Sequence, residues 1–198
     1  MIISKIQECK KVNLLNLPIC DLYMHPIDIS EHAKLSAEYS KYNRVVNDML
    51  SCLKNRQGEA FVTIDTRIVE AGSTHRRPGK HVDGNFIFDW QGGGGGWLTG
   101  SEGRILSPKD HKKQYCDSEN GATLIVSDFI GCKAWEGEFN DYPKQGGDCS
   151  HIDTNEGFYL KQSIVYLMNS TAIHESMPLP VTTKRTLVRI TLPPSKFI

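Results

Sequence analysis

From Ala60 onward the chain is written largely in period two, and this constrains its fold more than any other feature. Between Ala60 and Glu70, Val62, Ile64 and Ile68 alternate with Thr63, Asp65 and Arg67, so the stretch reads as a long strand with one buried and one polar face. Polar residues turned inward on such a strand would line a site. Ala122 to Phe129 reads as a second strand and Lys133 to Gly137, around Trp135, as a third, with Trp135 in the core. Phe158 to Met168 reads as another, centred on Ile164, Val165, Tyr166 and Leu167, and Lys184 to Leu192 alternates until Pro193 and Pro194 stop it. Glu138 to Asn155 is polar and glycine-rich and reads as a long loop.

Ahead of these strands lies one helical signal. Asp28 and Glu31 have capping-box spacing, and Ala33, Ala37, Tyr42, Val45, Val46, Met49, Leu50 and Leu53 recur at steps of three and four. The spacing predicts an amphipathic helix from about Ser30 to Lys54, ending near Gly58, with its apolar stripe on a sheet. A short strand and turn precede it. One early helix followed by six or more short strands predicts a mainly β fold with a flanking helix, a helix-backed barrel or jelly roll.

The length of 198 residues suits a single domain, with 1–58 as the N-terminal strand and supporting helix and 60–192 as the β core. Lys and Arg number 23, as do Asp and Glu, so no global basic field favours nucleic acid. The six cysteines form no C-x-x-C pair, no signal peptide is evident and no run reaches the length of a membrane span, which together predict a cytoplasmic protein.

The chemistry is concentrated after the breaker pair Pro78-Gly79. His81 and Asp83 are two metal-ligand side chains on alternate residues, and in a strand residues i and i+2 share a face. A histidine and a carboxylate converging there make up two thirds of the facial triad that holds non-haem Fe(II) and leaves positions open. With 7 histidines in the chain, one H-x-D pattern is close to chance, so a third ligand is required. His174, placed after a strand and before Pro178 and Pro180, is the candidate. Arg185 and Arg189 follow it on one face of the terminal strand. Two arginines on an otherwise apolar strand are costly to bury without anionic partners, and they read as carboxylate clamps.

His81-Val82-Asp83, the distant His174, and Arg185 with Arg189 resemble the signature of the Fe(II)/2-oxoglutarate-dependent dioxygenase superfamily over roughly Arg67 to Leu192. The resemblance implies a double-stranded β-helix (jelly-roll or cupin-like) barrel in which His81, Asp83 and His174 bind Fe(II) and catalyse hydroxylation of a substrate. Its co-substrates would be O2 and 2-oxoglutarate, with release of succinate and CO2. The arginine spacing is most like the taurine-dioxygenase type, in which one Arg holds each end of 2-oxoglutarate. Many members have Ser or Thr two places after the clamp Arg. Here Leu187 follows Arg185 and Thr191 follows Arg189, which leaves open which arginine grips the distal carboxylate and brings Thr191 into the co-substrate site. Asp83 also argues against halogenation, since halogenating relatives replace that carboxylate.

Other histidines rank lower. His151-Ile152-Asp153 is a second H-x-D, but it lies in the polar loop and too near His174 for the intervening strands of a barrel. His25 precedes Pro26, His32 falls in the expected helix, and His75 and His111 stand near Arg and Lys. The basic run His75-Arg76-Arg77 with Lys80 reads as a solvated charged turn ahead of a device that steers an anionic substrate. Trp90, Trp97 and the glycine run Gly92 to Gly96 form either a lid or a plain connection. With the ligands and arginines committed to metal and co-substrate, substrate recognition is expected from the Trp90 to Arg104 segment and the Glu138 to Asn155 loop. A non-catalytic cupin-like module holding a metal or ligand is the alternative, and a zinc hydrolase or isomerase is a third reading.

Overall fold

The computed structural model describes residues 2–54, 56–83 and 122–192. In chain order these form β1 (Ile2–Ser4), β2 (Ile6–Lys11), β3 (Cys20–Asp28), a 3-10 segment (Ala37–Tyr42), α1 (Asn43–Leu50), β4 (Glu59–Val69), β5 (Ala122–Ser127), β6 (Cys132–Trp135), β7 (Gly137–Phe139), a 3-10 turn (Gln145–Gly147), β8 (Phe158–Tyr159), β9 (Ile164–Asn169), β10 (Ile173–Ser176) and β11 (Thr183–Leu192). The glycine run, the Trp90 to Arg104 segment and His111 lie outside the described residues. The fold is mainly β. No described helix is long and apolar enough to cross a membrane.

Six strands form one sheet in the order β2-β9-β5-β11-β4-β3, with every neighbouring pair antiparallel. A second sheet, β10-β6-β8, and the ribbon β1-β7 account for the other described strands. Alternation decides what each face of the large sheet does. Val62, Ile64, Leu124, Val126, Val188 and Ile190 pack with Val45, Val46, Met49 and Leu50 of α1 in the main core. Each such side chain taken fully out of water stabilises the fold by about 1.5–3 kcal/mol. On the opposite face Ile125, Leu187 and Tyr166 meet Cys132 and Ala134 of β6, so the two larger sheets share a second core.

Three sequence expectations change. The helix is shorter than Ser30 to Lys54: α1 covers Asn43–Leu50 behind the 3-10 segment, and residues 30–36 are not helical. Asp28 turns its carboxylate onto Ser30, accepting from both backbone N and Oγ, and so closes a local turn in place of a helix cap. Asn47 and Asn43 then pin the extended segment, bonding to both main-chain groups of Ala33 and to the N–H of Leu35. Phe158 to Met168 is two strands in different sheets, and Ser163, in the left-handed region at φ 60°, marks the crossing. Finally, the Glu138 to Asn155 stretch contributes to β7 and holds a 3-10 turn.

Candidate metal centre

His81 does not lie in a regular strand. It forms isolated bridges to Asp148 on one side and His174 on the other. With His174, two main-chain hydrogen bonds of 2.9 Å run in opposite directions, so the two histidines sit directly across from each other. The strip is fixed from its other side by Val82 N to Gly147 O at 2.9 Å and Cys149 N to Lys80 O at 2.8 Å. Val82 is fully buried in a small core with Ile2, Trp135, Phe139, Cys149, Ile152 and Ile173. Anchoring Val82 in that core frees its two neighbours to face the other way, so the i, i+2 logic of a strand survives without a strand.

Gly147 makes the packing possible. Its φ is +74°, and a Cβ there would collide with the Val82 carbonyl. Gly147→Ala is therefore expected to cost about 1–3 kcal/mol in urea unfolding and to weaken Mn(II) binding by moving the His81–Asp83 strip. Wild-type values for both would show that Gly147 does not set the strip's position.

One oxygen or nitrogen from each of His81, Asp83 and His174 lies within 4.8 Å of the others. The imidazole centroids are 4.5 Å apart and tilted by 52°, and His174 Nε2 is 4.0 Å from Asp83 Oδ2. Each ring is oriented by its own backbone: His81 Nδ1 is 2.7 Å from the Gly79 carbonyl and His174 Nδ1 is 3.0 Å from the Ala172 carbonyl. A carbonyl only accepts, so Nδ1 carries the proton and each Nε2 lone pair remains for a metal. Burial, helped by the neighbouring His174, lowers His81 to about 4, which keeps it neutral at physiological pH. Burial pushes the Asp83 carboxyl up, but Arg189, His174 and His81 outweigh it and hold it at about 2. Two imidazoles and an ionised carboxylate converging on one another fit a divalent transition metal with open positions. Among the described residues, no other group of this kind is present.

His81, Asp83 and His174 line a cavity of about 420 Å³ between the two larger sheets. Arg185 and Arg189 also line it, and both are buried. Arg189 Nη1 donates to Asp83 Oδ2 at 3.1 Å, while Nε and Nη2 are buried and find no partner among the described residues. Arg185 Nε donates to Ser127 Oγ at 3.0 Å. Among the described residues no carboxylate lies within ion-pair distance of Arg185. Thr191 is fully buried beyond Arg189, and its side chain does not line the cavity.

The second H-x-D motif is elsewhere. His151 Nε2 lies 3.0 Å from the Tyr142 carbonyl and 3.5 Å from Asp141, Ile152 is in the small core and Asp153 is exposed.

Sequence reasoning marked the polar face of β4 as a possible site lining but missed the charged cluster built on it. Asp65, 5% exposed, is shared by three partners: His75 Nε2 at 3.0 Å, Arg67 Nη2 at 3.2 Å and Arg76 Nη1 at 3.2 Å. Arg67 also reaches the His75 carbonyl. The basic run is thus more than a solvated turn, since His75 is 1% exposed and Arg76 lines the cavity. The signal was present in the polar face of β4, whose Thr63, Asp65 and Arg67 stand in register with Arg189, Leu187 and Arg185 of β11. What it lacked was the return of the chain after β4 to bring His75 and Arg76 onto that face.

No protein-family model, no curated protein and no solved structure matches this chain.

Proposed function

We propose that the protein is an Fe(II)- and 2-oxoglutarate-dependent oxygenase built as a double-stranded β-helix, which hydroxylates a substrate and releases succinate and CO2. The observation that carries this reading is one cavity holding both a two-histidine, one-carboxylate group and a buried guanidinium, Arg185, without a carboxylate partner among the described residues. His81, Asp83 and His174 would hold the ion. When bound, Fe(II) supplies the redox chemistry that couples decarboxylation of 2-oxoglutarate to oxygen transfer from O2.

The residues divide the remaining work. Arg189 is engaged with Asp83, where it keeps that carboxylate ionised and fixes its orientation. Arg185, with Ser127 bracing its Nε, takes the distal carboxylate of 2-oxoglutarate through a charge-assisted pair. Leu187 lines the cavity between them and shields both pairs from water. A metal-binding module without a co-substrate has no use for Arg185 at this depth. The described cysteines Cys9, Cys20, Cys52, Cys132 and Cys149 are free thiols, which suits a reducing, cytoplasmic setting.

Calorimetry with 2-oxoglutarate on Mn(II)-loaded protein tests the assignment. Arg185→Ala should lose about 2–5 kcal/mol of binding, the cost of leaving a buried carboxylate unpaired. Arg189→Ala should lose less co-substrate affinity and more metal affinity. Unchanged affinity in both variants would remove 2-oxoglutarate from the proposal.

A further inference from the structure

We propose that the compound oxygenated in this cavity is itself a small organic anion, held through its carboxylate or phosphate group by Arg67 and Arg76; this rests on the oxygenase reading above. Among the described residues the cavity wall carries five guanidinium groups, on Arg67, Arg76, Arg77, Arg185 and Arg189. Among the described residues only two carboxylates lie within ion-pair distance of any of them: Asp83 on Arg189, and Asp65 shared by Arg67 and Arg76. Asp65 also holds His75, so its two oxygens already serve three partners. A guanidinium presents five N–H donors; beyond Asp65 and, for Arg67, the His75 carbonyl, those of Arg67 and Arg76 are partly open to solvent and free to exchange water for an anion. Arg77 donates to a neutral group, the Gly146 carbonyl, at 2.6 Å.

The proposed co-substrate does not remove this excess. One of its two negative charges goes to the ion, which brings positive charge of its own, and the other goes to Arg185. The strand register makes the remainder specific. Arg67 stands directly opposite Arg185 across β4 and β11, and like charges directly opposed on a sheet repel. A carboxylate on Arg185 neutralises one of that pair and leaves the other.

Depth separates the two roles. Arg185 is 1% exposed, at the floor, whereas the side chains of Arg67 and Arg76 are 53% and 37% exposed, at the rim. Tethered to Asp65, the rim arginines are already oriented, and an anion arriving from solvent meets them before it meets the triad. The volume of about 420 Å³ lies toward the small end of the roughly 300–1,000 Å³ typical of small-molecule sites. With co-substrate inside, the space left suits a small acid or phosphate ester.

The test is calorimetry on the full chain loaded with Mn(II), first with 2-oxoglutarate and then, at saturation, with inorganic phosphate, propionate or neutral propionamide. Phosphate or propionate should bind to the saturated protein and propionamide should not. The preferred anion tells a phosphorylated substrate from a carboxylic acid, and either preference supports the proposal. Arg76→Gln and Arg67→Gln should each weaken that binding about tenfold or more, the loss of one charged hydrogen bond. Arg77→Gln, which leaves Asp65 and its partners intact, should weaken it by a smaller factor and guards against misfolding of the other two. Saturation with 2-oxoglutarate followed by no anion binding, or anion binding unchanged in all three folded variants, overturns the anionic substrate. Failure of 2-oxoglutarate itself to bind counts against the oxygenase reading instead.

Discussion

Replacing His174 by alanine is expected to abolish succinate formation and remove tight metal binding while leaving the fold in place. The side chain supplies one of three donors that converge within 4.8 Å. Its main chain, by contrast, supplies the two 2.9 Å bonds to His81 and pairs with Ala134 of β6, and alanine keeps all of these. The structural cost is the ring's bond to the Ala172 carbonyl, about 1 kcal/mol. Loss of even an outer-shell partner typically lowers metal affinity or activity about 10- to 100-fold, so loss of a ligand should exceed that. Asp83→Ala is a less clean experiment because it also strips Arg189 of its carboxylate. Succinate release, Mn(II) calorimetry and circular dichroism on His174→Ala decide the matter. Wild-type metal affinity in a folded variant would sink the assignment.

The largest effect on stability is expected at Asp65. Asn at this position keeps the shape and removes the charge that His75, Arg67 and Arg76 share. Breaking a buried ionic group by deleting one partner costs about 3–5 kcal/mol. Because the Arg67 and Arg76 side chains are 53% and 37% exposed, water screens part of their share, and a loss of about 3 kcal/mol is expected at neutral pH. The pH dependence has a definite sign. Burial raises the Asp65 carboxyl, but the hydrogen bond and charge of His75, then Arg67 and Arg76, bring it below the usual value. A carboxyl depressed in the folded state stabilises above its unfolded pKa, about 3.9, and that contribution fades as pH falls through the folded value. Urea unfolding of wild type and Asp65→Asn should therefore differ at neutral pH and converge in strong acid. A difference under about 0.5 kcal/mol at pH 7 would show the cluster to be energetically idle.

The two longest strands were readable because period two is a local property: β4 and β11 form with nearly the expected ends. The triad was legible for a partly different reason. His81 and Asp83 do face one way, yet the cause is Val82 seated in a core whose other members come from distant strands and loops, and no window around residue 82 contains them. The helix was over-read because its spacing was real while Asp28, Asn43 and Asn47 bonded to the preceding backbone and held it extended. The pairing of Asp65 with His75 was missed for the opposite reason. A polar residue on a half-buried strand and a histidine in a basic run are each unremarkable in sequence, and only the return of the chain after β4 makes them partners.

The bridge between His81 and His174 joins positions about 90 residues apart, and closing a loop of that length costs an unfolded chain about 4 kcal/mol in configurational freedom. In the folded chain, strand pairing has already met that cost, so two imidazoles that would rarely find each other in the coil stand ready across a single rung. An ion shared by them grips the native chain far better than the unfolded one, and by mass action that preference returns as resistance to unfolding. If the group takes up a metal, the free concentration of that metal would then set part of the equilibrium stability of the fold.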